Sequence, residues 1–291
     1  MRVLGTAWLG SQLLLASICA AQVKTSTAFI EDGKRKLDNG QFVAAADALR
    51  EAAELDPHSA VAYELLARAL AGQASYNLRL LPDVNGVLPK AEAAAKKAVE
   101  LAPLAASGWC ALGLVDHKRA DAARDVQTRV AELNAADKAF KKALSINAES
   151  FEAHYELGKM ALDTAMEPLL AARYRSGVPF GKPGRIQDPE ILKSMQERYG
   201  VQVRDGIEQM QHALTINPNS WNAMHQMAGL LNERSLIEDT DEKANADRDL
   251  AAEWEKKSQA AKPIAPAKPV SSEQAAKTTA FLDLTRGEAS S

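Results

Sequence analysis

Apolar positions recur every three to four residues along most of the chain, the spacing that places them on one face of a helix. Four stretches end alike. Ala52 to Pro57 reads Ala-Ala-Glu-Leu-Asp-Pro, and Ala98 to Pro103 reads Ala-Val-Glu-Leu-Ala-Pro. Ala143 to Ala148 reads Ala-Leu-Ser-Ile-Asn-Ala, and Ala213 to Pro218 reads Ala-Leu-Thr-Ile-Asn-Pro. Three of the four stop on proline, whose ring fixes φ and clashes with a preceding helical turn. Shortly after each stop another amphipathic stretch begins, anchored at Tyr63, Trp109, His154 and Met224. The pattern predicts a string of helix–turn–helix units, with small residues where paired helices approach.

These residues resemble the tetratricopeptide repeat, a 34-residue helix–turn–helix unit. In that family an aromatic residue stands at position 4, Leu-Gly at 7 and 8, small residues at 20 and 27, and proline at 32. Counted back from Pro57, Phe29 falls at 4, Gly33 at 8, Ala45 at 20, Leu49 at 24 and Ala52 at 27, while Lys36 departs from the usual aromatic at 11. Later units repeat the register with Leu66, Ala67, Ala91 and Ala98. Trp109, Leu112, Gly113, Ala136, Phe140 and Ala143 follow, and then Leu157, Gly158, Gly206, Met210 and Ala213. The resemblance implies an all-α fold, a right-handed superhelical solenoid of stacked repeats at about 26–59, 60–105, 106–150, 151–220 and 221–259. One pair of helices cannot bury its own apolar stripe, so units must stack.

Three units exceed the standard length, and each excess falls between paired helices. In 60–105 it contains Pro82, Gly86 and Pro89, which predict an extended loop. In 106–150 neither Gly nor Pro occurs after Gly113, which predicts lengthened helices. In 151–220 a break at Gly177 to Gly184 should precede a short helix from Pro189 to Tyr199. The last unit should pair Trp221 to Asn232 with a capping helix over about Glu242 to Gln259.

The ends differ in character. Residues 1–21 carry Arg2, an apolar stretch strongest at Leu13 to Leu15, and small residues at Cys19 to Ala21, the features of a cleaved export signal. The apolar run is short for a bilayer span, and no other stretch is long and apolar enough to cross a membrane. Residues 260–291 turn to Lys, Pro, Ala and Ser, a flexible tail with a short apolar cluster at Phe281 to Leu284. Aromatic residues make up only 5% of the chain, too few for an all-β sandwich. The net charge of −3 lacks the basic footprint of a nucleic-acid binder. With Cys19 removed, Cys110 has no partner for an internal disulfide.

Candidate chemistry is sparse. His58, His117, His154, His212 and His225 make no His-x-x-x-His or other metal-ligand spacing, so no metal or cofactor is expected. Gly177 to Pro183 is one residue short of a phosphate loop and ends on proline instead of Ser or Thr. A surface remains. Positions 5 and 9 share one face of each first helix, the face that lines the peptide-binding concave groove in tetratricopeptide proteins. Here that face offers Lys34, Glu64, Arg68, Cys110, Tyr155, Lys159 and His225. Lys34, Arg68 and Lys159 form a basic line suited to an acidic peptide. The family's carboxylate clamp needs Lys at 5 and Asn at 9, and both are absent.

The sequence therefore points to an exported, periplasmic or secreted, non-enzymatic scaffold for protein partners. Two alternatives are an enzyme with its site in the 165–199 insertion, and an envelope assembly factor tethered through an acylated Cys19. If export is correct, N-terminal sequencing of the native protein begins near Gln22. Retention of Met1 or Arg2 contradicts it.

Overall fold

The computed structural model describes residues 25–78, 86–179 and 181–262. The expected export signal, most of the loop before Gly86 and the tail beyond Lys262 lie outside them. Among the described residues the chain folds entirely as helices and their connections. The first, α1, covers 25–38. Then come α2 (Phe42–Leu55), α3 (Ala60–Leu78), α4 (Val87–Leu101), α5 (Ala106–Ala122), α6 (Val126–Ile146), α7 (Phe151–Arg175), α8 (Pro189–Ile216), α9 (Trp221–Leu236) and α10 (Asp241–Ala261).

The four sequence stops become one local structure. At Asp56, Ala102, Asn147 and Asn217 the backbone leaves the helix near φ −135°, −139°, −138° and −130°. Each of these residues donates its N–H to the alanine at position 27, namely Ala52, Ala98, Ala143 and Ala213. Three residues on, the chain closes the same turn four times, as in Ser59 N–H to Asp56 C=O at 3.1 Å and Ser220 N–H to Asn217 C=O at 3.2 Å. Where the stop residue is Asp or Asn, its side chain also accepts from the backbone two residues on, as Asp56 does from His58 at 3.1 Å. The entering helices are capped in turn: Ser150 accepts from Ala153 N–H and Ser220 from Ala223 N–H.

Helices pair within units and stack between them. α3, α5, α7 and α9 each pack on the first helix before them or on the preceding second helix, and the pairs α3–α5, α5–α7 and α7–α9 line one side. This is a tetratricopeptide-like solenoid. The small positions lie in the helix crossings: Ala45, Ala52, Ala67, Ala91, Ala98, Ala136, Ala143, Ala213, Ala244 and Ala251 are all buried.

The insertions depart from expectation in instructive ways. Pro89 is not in a loop. It lies in the first turn of α4, where an N–H would have no intrahelical carbonyl to bond, so its absence costs little. The predicted short helix from Pro189 to Tyr199 does not stop. α8 runs 28 residues to Ile216 because Met195, Val203, Gly206, Met210 and Ala213 form one buried stripe in helical register through Gly200. Burial on both sides outweighs the weak helix propensity of one glycine. The break at Gly177 to Gly184 does occur. Gly177 and Gly181 there adopt φ of 90° and 76°, a backbone region that disfavours side chains.

Gly113 tests the register. A Cβ there would lie 2.8 Å from the Phe140 ring, so Gly113→Leu should overpack α5 against α6 and cost ~1–3 kcal/mol. Gly200 is open, with nothing within 4 Å of a Cβ, so Gly200→Ala should stabilise by about 0.5–1 kcal/mol. Denaturant midpoints moving in opposite directions meet both expectations.

Candidate functional site

The first helices present their positions 5 and 9 along one concave face, and two cavities open there. The N-terminal cavity, about 570 Å³, lies between α1, α3 and α5 and is lined by Ile30, Lys34, Glu64, Arg68, Leu114 and Lys118 among others. The C-terminal cavity, also about 570 Å³, lies between α7, α9 and α10. Leu162, Met166, His225, Gly229, Glu233 and Arg248 contribute to its lining. Three large apolar side chains are about half exposed at these cavities: Val61, Met166 and Leu170.

Of the seven sequence-derived candidates, Lys34, Glu64 and Arg68 line the N-terminal cavity and His225 the C-terminal one, while Cys110, Tyr155 and Lys159 line neither. Arg68 reaches over α5 to the carboxylate of Glu152 on α7 at 2.7 Å and also approaches Glu64 at 3.5 Å. Burial opposes the guanidinium charge, yet Glu152 and Glu64 outweigh it and raise the pKa. Lys159 is held by Asp163 one turn on, and its pKa is likewise raised, by Asp163 and Glu156 against burial. The expected basic line is thus mostly neutralised in place. Lys34 alone of the three is exposed and without an ion pair among the described residues.

Cys110 lies beneath the Arg68–Glu152 pair, fully buried, with its sulfur 3.7 Å from the Ser150 hydroxyl. Burial pushes its thiol up to about 12, helped by the Glu152 charge. Tyr155 stacks on Phe151 with ring centroids 5.8 Å apart, and burial raises its hydroxyl to about 12. His225 binds Glu255 of α10 at 2.7 Å, which holds that carboxyl below its ordinary range.

Sequence reasoning missed the buried acids and a buried histidine. His117 of α5 is 1% exposed, its Nδ1 unpartnered among the described residues, its Nε2 3.7 Å from Asp163 and 3.9 Å from Asp121. Burial lowers its pKa, so the ring is neutral at pH 7. Glu156 on α7 is raised by burial, and one of its oxygens has no partner among the described residues. Glu233 on α9 is 4% exposed with both oxygens unpartnered, and burial with nearby Asp163 pushes it up to about 9. A repeat-by-repeat reading of position 13 would have exposed Asp163 and Glu233 as equivalents, since both sit four residues after position 9.

The 165–199 insertion is occupied with structure. Ala165, Leu169, Ala172, Ile186 and Met195 form a core with Leu236 and Ile237. Buried Arg173 donates to the loop carbonyls of Gly184, at 2.8 Å, and Lys182. Ile186 N–H donates to Leu236 C=O at 2.9 Å, tying the loop to the end of α9. Among the described residues no group of three or more His, Cys, Asp or Glu is placed to hold a metal, and no helix is long and apolar enough to cross a membrane.

No family model and no curated protein matches the sequence. Solved structures of similar fold include TTC0263, a tetratricopeptide protein of Thermus thermophilus, at 16% identity and a TM-score of 0.49 over 80% of this chain and 98% of that one. PilF of Pseudomonas aeruginosa is 19% identical with a TM-score of 0.46 over 80% and 78%. MamA is 18% identical with a TM-score of 0.42 over 84% and 99%.

Two measurements check this electrostatic picture. Cys110 should resist alkylation in the folded protein and react only on unfolding, read by mass spectrometry of the Cys110 peptide. Glu233 is neutral when folded and ionised when unfolded at neutral pH, so it contributes stability below its unfolded value that is lost as pH rises towards about 9. Glu233→Gln should therefore raise the melting temperature at pH 9 and leave it little changed at pH 4.

Proposed function

We propose that the chain is an exported, non-enzymatic scaffold that holds an extended segment of a protein partner along its concave groove. One observation carries this reading: two cavities of equal size lie along that face, joined by the first helices and bordered by half-exposed Val61, Met166 and Leu170. Such apolar side chains, set among charged groups, suit side-chain pockets for a peptide. A compact substrate would call for one enclosed site with converging acid, base or nucleophile. Here Cys110 is a buried, poorly ionised thiol, and Arg68 and Lys159 are each paired with an acid.

The acidic partner suggested by the sequence narrows to the N-terminal cavity, where Lys34 is available. Export rests on residues 1–21. Acylation of Cys19 would make the same scaffold a tethered one, which intact-mass analysis of the native protein decides.

The groove reading predicts the behaviour of a double variant, Val61→Glu with Leu170→Glu. Both side chains are surface-exposed, so circular dichroism should be unchanged. Capture of partners from the native envelope fraction should fall at least tenfold. Equal capture by variant and wild type moves the working surface elsewhere.

A further inference from the structure

The last unit differs from the fourth in the charges that its first helix carries. Position 9 carries Lys34, Arg68 and Lys159 in the first, second and fourth units, but Leu114 in the third and Gly229 in the fifth. Position 13, one turn on, carries Asp163 in the fourth unit and Glu233 in the fifth. In α7 the two positions pair, Lys159 with Asp163. In α9 the acid is present and the cation is not. Glu233 is left only 4% exposed, both oxygens without a hydrogen-bond partner among the described residues, at the wall of the C-terminal cavity. Unpartnered buried carboxyls are costly and call for an explanation. Leu162 of α7 fills the space over Gly229, its Cδ2 2.8 Å from where a Cβ would stand. A leucine side chain thus occupies the place of the cation.

Resting on the groove reading, we propose that the C-terminal cavity takes a lysine or arginine side chain of the partner peptide, whose cation supplies the missing partner of Glu233. The ligand's aliphatic stem would displace Leu162 and lie against Met166 and Leu236, and its charged end would meet Glu233 with Asp163 beside it. Lys and Arg are suited to this because their stems are apolar while their heads need an anion. The charges around the site come from every neighbouring helix. α7 gives Glu156, Lys159 and Asp163, and α5 gives neutral His117 with Lys118 and Asp121. α9 gives His225, and α10 gives Glu255, bound to His225, and Arg248. Lys159 and Lys118 are already paired with Asp163 and Asp121, so neither serves Glu233. Arg248 lines the same cavity with its Nη1 likewise buried and unpartnered among the described residues, but it makes no hydrogen bond to Glu233. Because Glu233 is protonated in the free protein, cation binding must ionise it and release a proton.

The experiment screens a random dodecapeptide display library against the full chain at pH 8. Selected peptides are then synthesised with lysine, or with norleucine in its place. Calorimetry should show the lysine form favoured at least tenfold, with affinity rising between pH 6 and 9 by up to about tenfold per unit, the slope of one released proton. Glu233→Gln keeps the shape and neutrality of the free site, and it should remove both the preference and the slope while the fold persists. Leu162→Ala should tighten binding by clearing the site. Leu162→Ala with Gly229→Lys, which installs the cation internally, should abolish it. Binders that lack basic residues, or that bind the Gln variant equally, overturn the proposal and leave the groove reading intact. A library that yields no groove binder overturns both.

Discussion

The whole structure depends on how closely the two helices of each unit can approach, and this is set by one pair of positions. At Gly33, Gly113 and Gly158, a Cβ would strike Leu49, Phe140 and Met210 at 2.5, 2.8 and 2.7 Å. Position 8 thus yields its volume to position 24. In the second unit the same two positions are both small, Ala67 and Ala95, fully buried in one cluster. Interiors pack at near-crystalline density, so total volume at the crossing must stay constant. With the crossing fixed, stop residues that bond back to the same alanine carbonyl launch each next unit at the same angle. Regular stacking then follows, and with it a continuous concave face.

The face is less uniform than the scaffold that presents it. Arg68, in the lining of the N-terminal cavity, spans from α3 to Glu152 on α7 at 2.7 Å. Removing either partner would leave an uncompensated charge in a desolvated place. At the far end the insertion braces the end of α9 through Ile186 and through Gln196, whose amide donates to Ile237 C=O at 2.9 Å. Arg234 and Asp247 then fasten α9 to α10 through two bonds of 2.9 and 2.6 Å. These bonds position α9 and α10, two of the helices that line the C-terminal cavity.

The fold was largely legible because its signals are local. Small residues at fixed spacing and prolines after the second helix speak directly about helix crossing and helix end. The elongation of α8 was not legible, because Gly200 reads as a break unless the buried stripe from Met195 to Ala213 is seen as continuous. The grouping of the candidate residues at positions 5 and 9 was legible too, since residues three or four apart on a helix share a side. Its electrostatics were not. Arg68 and Glu152 stand 84 residues apart in sequence, and nothing local indicates that they meet. A line of three cations on paper therefore became, in three dimensions, one free lysine and two neutralised pairs.

The central claim is that this protein works through its concave face. Site-directed photo-crosslinking in the native compartment tests it most directly. A benzophenone amino acid is placed at Val61 or Met166 in the groove, and at Leu104 or Val201 on other exposed surface, all of them accessible positions. The account predicts that one and the same partner is trapped from Val61 and Met166 and not from Leu104 or Val201. Adducts formed only from Leu104 or Val201 would contradict it.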